Sequence, residues 1–294
     1  MKKDNLKNGE IKQKINTVKS KELGEFYCID PYSANYALKE IIDDRMYEKQ
    51  FFKFKENDTI IDVGANIGIF SLYIANKLNG NLKLYSLEPI PQNYELLSKN
   101  LANYFPQLKA ASFNIGLSDF ESPAEIEFSY YPNNSTIATM DKSIIEKTFL
   151  SSTSVETTVA LLKAIKSKIN PITYYLNSFL LSLKPISGFL NKLYLENILI
   201  EEKVICKMSN LSKFIEDNNI TQIDFLKIDT EGAELKIFNG IKPVDWQKIK
   251  QIAIEVHDSE YIIPITSKLK EYSFINIELE KDDLLMTEMI YASK

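Results

Sequence analysis

Apolar positions along the chain fall into short continuous runs separated by amphipathic stretches. Thr59-Ile60-Ile61-Asp62-Val63, Leu82 to Leu87, Ile223 to Ile228 and Ile252 to Val256 are such runs. Their length and β-branched content predict buried strands. Between them the period changes. Ile67, Phe70, Leu72, Ile74 and Ala75 recur at helical spacing, which predicts a helix over about 67–79. Pro89 and Pro91 open a second helix reaching Tyr104, with Leu96, Leu97, Asn100 and Leu101 on one stripe. Strands are further predicted over Lys109 to Ile115 and Ala124 to Tyr131, followed by a polar loop from Pro132 to Thr136. Thr230-Glu231-Gly232-Ala233-Glu234 opens a helix that Gly240 and Pro243 close. A helix over 261–271 and an antiparallel pair of strands, 274–279 and 284–291, complete the pattern. Strands alternating with helices predict an α/β fold with a mostly parallel sheet covered on both faces.

Two stretches depart from that alternation. Residues 1–23 are polar and lysine-rich and read as a solvated tail. Residues 33–50 predict a helix carrying Tyr36, Ile41, Ile42 and Tyr47, with Phe51, Phe52 and Phe54 as core or lid packing. Residues 1–57 are therefore a tail and helical cap, and 58–294 the main domain. Within it, about 145–202 reads as a helical insertion. Pro171, Pro185 and Gly188 divide 151–200 into three predicted helices with apolar stripes. A packed lid or a homo-oligomer surface is the expected use. Five lysines and one acid between 159 and 200 leave membrane-surface contact as the alternative. Substrate choice is expected to lie in this insertion.

The first strand leads into a small-residue turn, Gly64-Ala65-Asn66-Ile67-Gly68, and then a helix. Glycines there admit a ligand close to the backbone, and the helix start offers free N–H groups. This is the place of a nucleotide-type cofactor in a doubly wound sheet. The spacing lacks the middle glycine of the dinucleotide fingerprint, and Asp62 precedes the turn. A carboxylate repels a pyrophosphate but suits S-adenosylmethionine, which is cationic at sulfur and at its amino group. Glu88 ends the next strand, 24 residues after Gly64, where an acid binds ribose hydroxyls in such folds. Ribose is common to both cofactors, so an NAD-dependent oxidoreductase remains the alternative.

Four blocks then carry a resemblance: D-V-G-A-N-I-G (62–68), L-E-P-I-P-Q-N-Y-E-L-L-S-K-N (87–100), N-I-G-L-S-D (114–119) and F-L-K-I-D-T-E-G-A-E (225–234). In this order they resemble the FkbM family of S-adenosylmethionine-dependent methyltransferases. The resemblance implies a Rossmann-like class I methyltransferase fold, with a mostly parallel seven-stranded sheet and an antiparallel C-terminal hairpin strand. It implies S-adenosylmethionine as cofactor, held by Asp62, Gly64, Ala65, Asn66, Gly68, Glu88 and Asn114. For Asn114, turn formation is an equal reading. It places the 132–136 loop near the substrate, and it implies a hydroxyl acceptor on a sugar, glycan or secondary metabolite. The family usually carries L-D-D ahead of the last block, whereas this chain has Asn210-Leu211-Ser212-Lys213.

Composition narrows the setting. The chain has 294 residues, 45% of them hydrophobic, enough for a substantial core. A net charge of −5, from 35 basic and 40 acidic side chains, argues against nucleic acid as partner. Cys28 and Cys206 have no metal or redox spacing, which fits a reducing cytoplasm. No apolar run approaches a transmembrane span.

Asp62, Glu88, Asp229 and His257 all fall at the carboxyl ends of predicted strands, so the topology brings them to one sheet edge. A hydroxyl acceptor needs a base. His257, the single histidine, is one candidate, and Asp229, in the most family-specific block, is its rival. Glu231 is a third catalytic candidate, while Glu234 favours the helix start electrostatically. Asp229, Glu255 and His257 offer mixed oxygen and nitrogen ligands, but no ligand spacing along the chain supports them, so no metal is expected. A non-catalytic binding protein of the same fold is the remaining alternative.

Overall fold

The structure, a computed structural model, describes residues 14–104, 111–121, 123–135, 138–140, 200–282 and 287–294. Strands β1 (Asn16–Ser20) and β2 (Gly24–Cys28) pair as an antiparallel hairpin. The expected tail therefore ends earlier than residue 23. Val18, Leu23, Phe26 and Cys28 are buried, with Lys19 and Lys21 between them, Lys14 just before β1, and the other lysines of 1–23 outside the described residues. Helix α1 (Pro31–Leu38) starts where Asp30 accepts the N–H groups of Tyr32 and Ser33. It widens into a π-helical segment, Lys39–Asp43, so the helix predicted to residue 50 stops short.

The sheet-forming part follows as predicted. It runs β3 (Thr59–Val63), α2 (Ile69–Lys77), β4 (Lys83–Leu87), α3 (Pro91–Tyr104) and β5 (Ala111–Phe113). Then come β6 (Gly116–Leu117), β7 (Ala124–Tyr130), a 3-10 turn at Pro132–Asn134 and β8 (Ala138–Thr139). The three helices predicted within 151–200 fall on residues outside the described ones, which resume at 200. After them come β9 (Glu202–Ser209), α4 (Leu211–Asp217), β10 (Phe225–Ile228), α5 (Glu234–Asn239) and α6 (Pro243–Trp246). The chain ends with β11 (Gln251–Val256), α7 (Ile262–Glu271), β12 (Asn276–Asp282) and β13 (Thr287–Ser293).

Seven strands form the main sheet in the order β12-β13-β11-β10-β3-β4-β5. β13 runs antiparallel between β11 and β12, and the remaining pairs are parallel. This is the class I methyltransferase fold. Alternate residues of each strand face opposite cores. Ile60, Leu84, Phe225 and Ala253 pack under the hairpin, α1, α2 and α3. Ile61, Leu226, Ile252 and Ile254 pack under α4, α5, α6 and α7. Phe52 meets Phe225 edge-on at 4.9 Å, the core role expected of that aromatic cluster. Chain order reverses between β3 and β10, and ligands in open α/β sheets bind at such a switch point.

A second sheet of four strands, β6-β9-β7-β8, was not anticipated as a unit. β9 escaped the sequence reading although its period is two: Cys206 and Met208 are buried, with exposed Lys207 between them and exposed Ile205 before them. They join Ile90, Phe128 and Tyr130 in a separate small core. Asn210 caps α4 by accepting the Lys213 N–H, and Ser212 accepts the Lys242 N–H. The segment that departs from the family's L-D-D is thus tied into backbone support.

Candidate active site

Strand register assembles the site. Asp62 of β3 lies level with Lys227 of β10, and Lys227 with Ala253 of β11. Neighbours in register point to one face, and so do residues two apart. Asp229 and Glu255 therefore follow Lys227 and Ala253 on the face that carries Asp62. Lys227 Nζ lies 3.2 Å from Asp62 Oδ1 and 3.2 Å from Asp229 Oδ2. It also donates to the Gly64 carbonyl at 3.4 Å. Burial opposes the charge on Lys227, but Asp229 and Asp62 outweigh it and raise its pKa above the usual lysine range. Asp62 Oδ2 accepts the Ser71 hydroxyl at 2.7 Å, whereas Oδ1 has the ion pair but no aligned hydrogen bond.

The turn after β3 is held from three sides. Gly64 and Ala65 donate to the Leu87 carbonyl at 3.0 and 2.9 Å. Gly64, Asn66 and Gly68 all have left-handed backbones. The two glycines do more for packing than the sequence suggested. A Cβ on Gly64 would stand 1.7 Å from the Asp229 carbonyl oxygen, and one on Gly68 2.7 Å from Leu97 Cδ1. What approaches them is protein: the backbone after β10, and α3. Glu88, which follows β4, accepts the Asn66 N–H at 2.8 Å and the Ile90 N–H at 2.9 Å, one on each oxygen. Asn114 donates to the carbonyls of Glu88 and Pro89, both at 2.9 Å, and so braces the turn into α3.

Burial raises the Glu88 pKa to about 7, against the two N–H bonds that favour its charge. Between its unfolded value near 4.5 and about 7, the folded chain holds the Glu88 proton more tightly than the unfolded chain. Stability therefore declines across that window as pH rises, by roughly 3 kcal/mol, and Glu88 adds no slope above it. Denaturant unfolding at pH 5 and pH 8 reads this. Glu88→Gln is expected to have a smaller loss between the two pH values than the wild type.

The loop predicted near the substrate lies against this turn. Asn66 Nδ2 and Asn93 Nδ2 both donate to the Ser135 carbonyl at 3.0 Å. Ser33 Oγ donates to Asn134 Oδ1 at 3.1 Å, which ties α1 to the same loop.

Beyond β10 the predicted helix begins late. Glu231 and Gly232 adopt left-handed backbones (φ 50° and 101°), so α5 starts only at Glu234. Thr139 Oγ1 of β8 donates to the Glu231 carbonyl at 3.0 Å. A non-glycine residue in that conformation needs support from its surroundings, and this contact supplies some of it. His257 lies just past β11 with both ring nitrogens on carboxylates. Nδ1 is 2.9 Å from Glu234 Oε1, and Nε2 is 3.3 Å from Glu231 Oε2. Burial opposes its charge, yet Glu231, Glu234 and Glu255 together hold its pKa well above the ordinary histidine value. Burial also raises Glu231 to about 7 and Glu255 to about 8. One ligand atom each from Asp229, Glu255 and His257 lies within 4.8 Å of the others.

Residues 62–281 match the sequence model of the methyltransferase FkbM domain family. The chain belongs to this family. It is 28% identical over 250 residues to methyltransferase sdnD of Sordaria araneosa, covering 84% of this chain and 83% of that protein. It is 23% identical to the 31-O-demethyl-FK506 methyltransferase FkbM of Streptomyces tacrolimicus, covering 85% of each. It is also 31% identical to the AMB antimetabolite synthetase AmbE of Pseudomonas aeruginosa over 76% of this chain. The chain spans 9% of that synthetase's length. A crystal structure of methyltransferase FkbM from Methylobacillus flagellatus KT aligns with a TM-score of 0.48 at 13% identity, covering 89% of this chain and 55% of that one. Membership of the FkbM family, with this fold, implies S-adenosylmethionine as the cofactor.

The four groups expected at one edge, Asp62, Glu88, Asp229 and His257, are all there, with Glu231 beside His257. Lys227 was missed. A single lysine inside the apolar run Phe225-Leu226-Lys227-Ile228 was its signal, since a buried ammonium needs carboxylate partners. Among the described residues, no helix is long and apolar enough to cross a membrane.

Proposed function

We propose that the chain transfers a methyl group from S-adenosylmethionine to a hydroxyl oxygen of a small molecule or glycan. The observation that carries this reading is the gathering of Asp62, Glu88, Asp229 and His257 at the switch-point edge of the sheet. The residues fit the cofactor. Asp62 Oδ1 is buried beside Lys227 Nζ at 3.2 Å without an aligned hydrogen bond, and so keeps acceptor capacity for an amino group. Each Glu88 oxygen holds one N–H and keeps a lone pair for a ribose hydroxyl. Bound there, S-adenosylmethionine supplies an electrophilic methyl on a cationic sulfonium.

The chain's own residues then position the acceptor and take its proton. Asp229 is tethered by Lys227, so it orients the acceptor. Glu231, beside His257 and with its pKa raised by burial to about 7, accepts the proton. The imidazole holds Glu231 in place while Glu234 holds the imidazole. The Streptomyces tacrolimicus relative is named for a 31-O-demethyl substrate, which supports an oxygen as the acceptor atom here. The 132–135 loop borders the acceptor in this reading, and buried, unpaired Cys28 and Cys206 accord with a cytoplasmic setting.

Product analysis tests it. Labelled S-adenosylmethionine is supplied with a panel of polyhydroxylated acceptors, and the product's methyl is located by mass spectrometry and NMR. An O-methyl product is expected. Glu231→Gln should lower kcat by roughly 10²–10⁴ with little change in S-adenosylhomocysteine affinity. Methylation only at nitrogen, or an undiminished Glu231→Gln, would overturn the assignment.

A further inference from the structure

The ends of β10 and β11 carry more than a proton acceptor. Asp229, Glu255 and His257 reach one point from two adjacent parallel strands, their ligand atoms within 4.8 Å of one another. The chain spacing hides this, because the ligands are separated by a helix-containing crossover and not by a short motif. Close carboxylates alone would not make a site. The second observation is how the histidine is held.

His257 Nδ1 lies 2.9 Å from Glu234 Oε1. Glu234 is fully buried, and the same oxygen accepts the Gly232 N–H at 2.8 Å. A carboxylate of fixed position therefore holds Nδ1, and the ring sits with Nε2 3.3 Å from Glu231 Oε2, in the cluster that Asp229 and Glu255 complete. That carboxylate–imidazole backing is how metal-ligating histidines are oriented. Asp229 is backed in the same way, its Oδ2 held by Lys227 at 3.2 Å. Glu231 and Glu234 also flank the ring, so four carboxyl groups meet here beside the ammonium of Lys227 and the imidazole of His257.

We propose that Asp229, Glu255 and His257 bind a divalent transition-metal cation, with Glu234 and Lys227 as positioning residues. One imidazole nitrogen with two carboxylate oxygens favours the manganese-to-zinc range over calcium. Three protein ligands leave coordination positions open for an exogenous oxygen. The cation site stands on these contacts alone. Its role in methyl transfer rests on the function proposed above: a hydroxyl oxygen bound there becomes more acidic, beside Glu231.

The test uses the full chain, stripped with chelator and desalted. Mn²⁺ is titrated in while the electron paramagnetic resonance of free Mn²⁺ is followed, with Zn²⁺ by equilibrium dialysis as a second probe. About one equivalent is expected to bind. Glu255→Gln and His257→Gln should each weaken binding at least tenfold, and Glu234→Gln should weaken it roughly 10–100-fold. Circular dichroism and S-adenosylhomocysteine affinity check that each variant is folded. No saturable binding to wild type, or binding that Glu255→Gln and His257→Gln leave unchanged in folded protein, overturns the proposal. If S-adenosylhomocysteine fails to bind wild type while Mn²⁺ binds, the methyltransferase reading fails and the cation site survives.

Discussion

Gly64→Ala is expected to leave little folded protein. The new Cβ would lie 1.7 Å from the carbonyl oxygen of Asp229, a backbone atom in the strand pair that forms the switch point. The residue also has φ +76°, a conformation strained for alanine. Relief requires β3 and β10 to separate where Lys227 joins their carboxylates. A loss above about 4 kcal/mol is expected, in the exceptional range for one substitution. Gly68→Ala is the internal comparison. Its Cβ meets Leu97 Cδ1 at 2.7 Å, the end of a side chain that can turn aside. Strain at φ +91° then dominates, and a loss of about 1–3 kcal/mol is expected. Urea unfolding of both variants decides the order. Equal, small losses would show that the Gly64 approach is looser than described.

Lys227→Met is expected to be nearly as damaging, for an electrostatic reason. Asp62 is fully buried, and Lys227 is the cation 3.2 Å from its Oδ1. Removing one partner of a buried ion pair leaves an uncompensated charge, at a cost of about 3–5 kcal/mol. At roughly 2–4 °C per kcal/mol for a domain of this size, the thermal midpoint falls by about 10 °C. Asp62→Asn in the same chain should restore part of the loss, because it removes the stranded charge. Additive losses in that double-mutant cycle would mean that the two residues act independently. A drop in stability with a normal cofactor titration would confine Lys227 to support. Loss of both is expected, since Lys227 also fixes Asp229 and the Gly64 carbonyl.

The central strands were legible because a strand covered on both faces reads as a continuous apolar run. Thr59–Val63, Lys83–Leu87, Phe225–Ile228 and Gln251–Val256 all lie where such runs were found. The convergence of Asp62, Glu88, Asp229 and His257 followed from them, since parallel strands deliver their carboxyl ends to one edge. Other features were hidden by physical circumstances that composition averages over. The β1–β2 hairpin sets its few core residues among Asn16, Thr17, Lys19 and Glu25, so local polarity masked a period of two. β9 alternates likewise, and its pairing with β7 depends on contacts across the long intervening segment. The glycine turn was legible as a ligand site, but its steric demand comes from Asp229, a residue remote in sequence. The same is true of the Glu234–His257 contact. A helix start at Thr230 was the natural reading, and the left-handed Glu231–Gly232 pair displaced it. That displacement leaves Glu231 beside the imidazole, and no local signal in the chain announces it.

Calorimetric titration with S-adenosylhomocysteine, with NAD as a parallel ligand and Glu88→Ala as a variant, tests the central claim most directly. The account predicts saturable binding of S-adenosylhomocysteine, at least tenfold weaker in folded Glu88→Ala, and no heat with NAD. Preferential NAD binding, or no S-adenosylhomocysteine binding by folded wild-type protein, would contradict it.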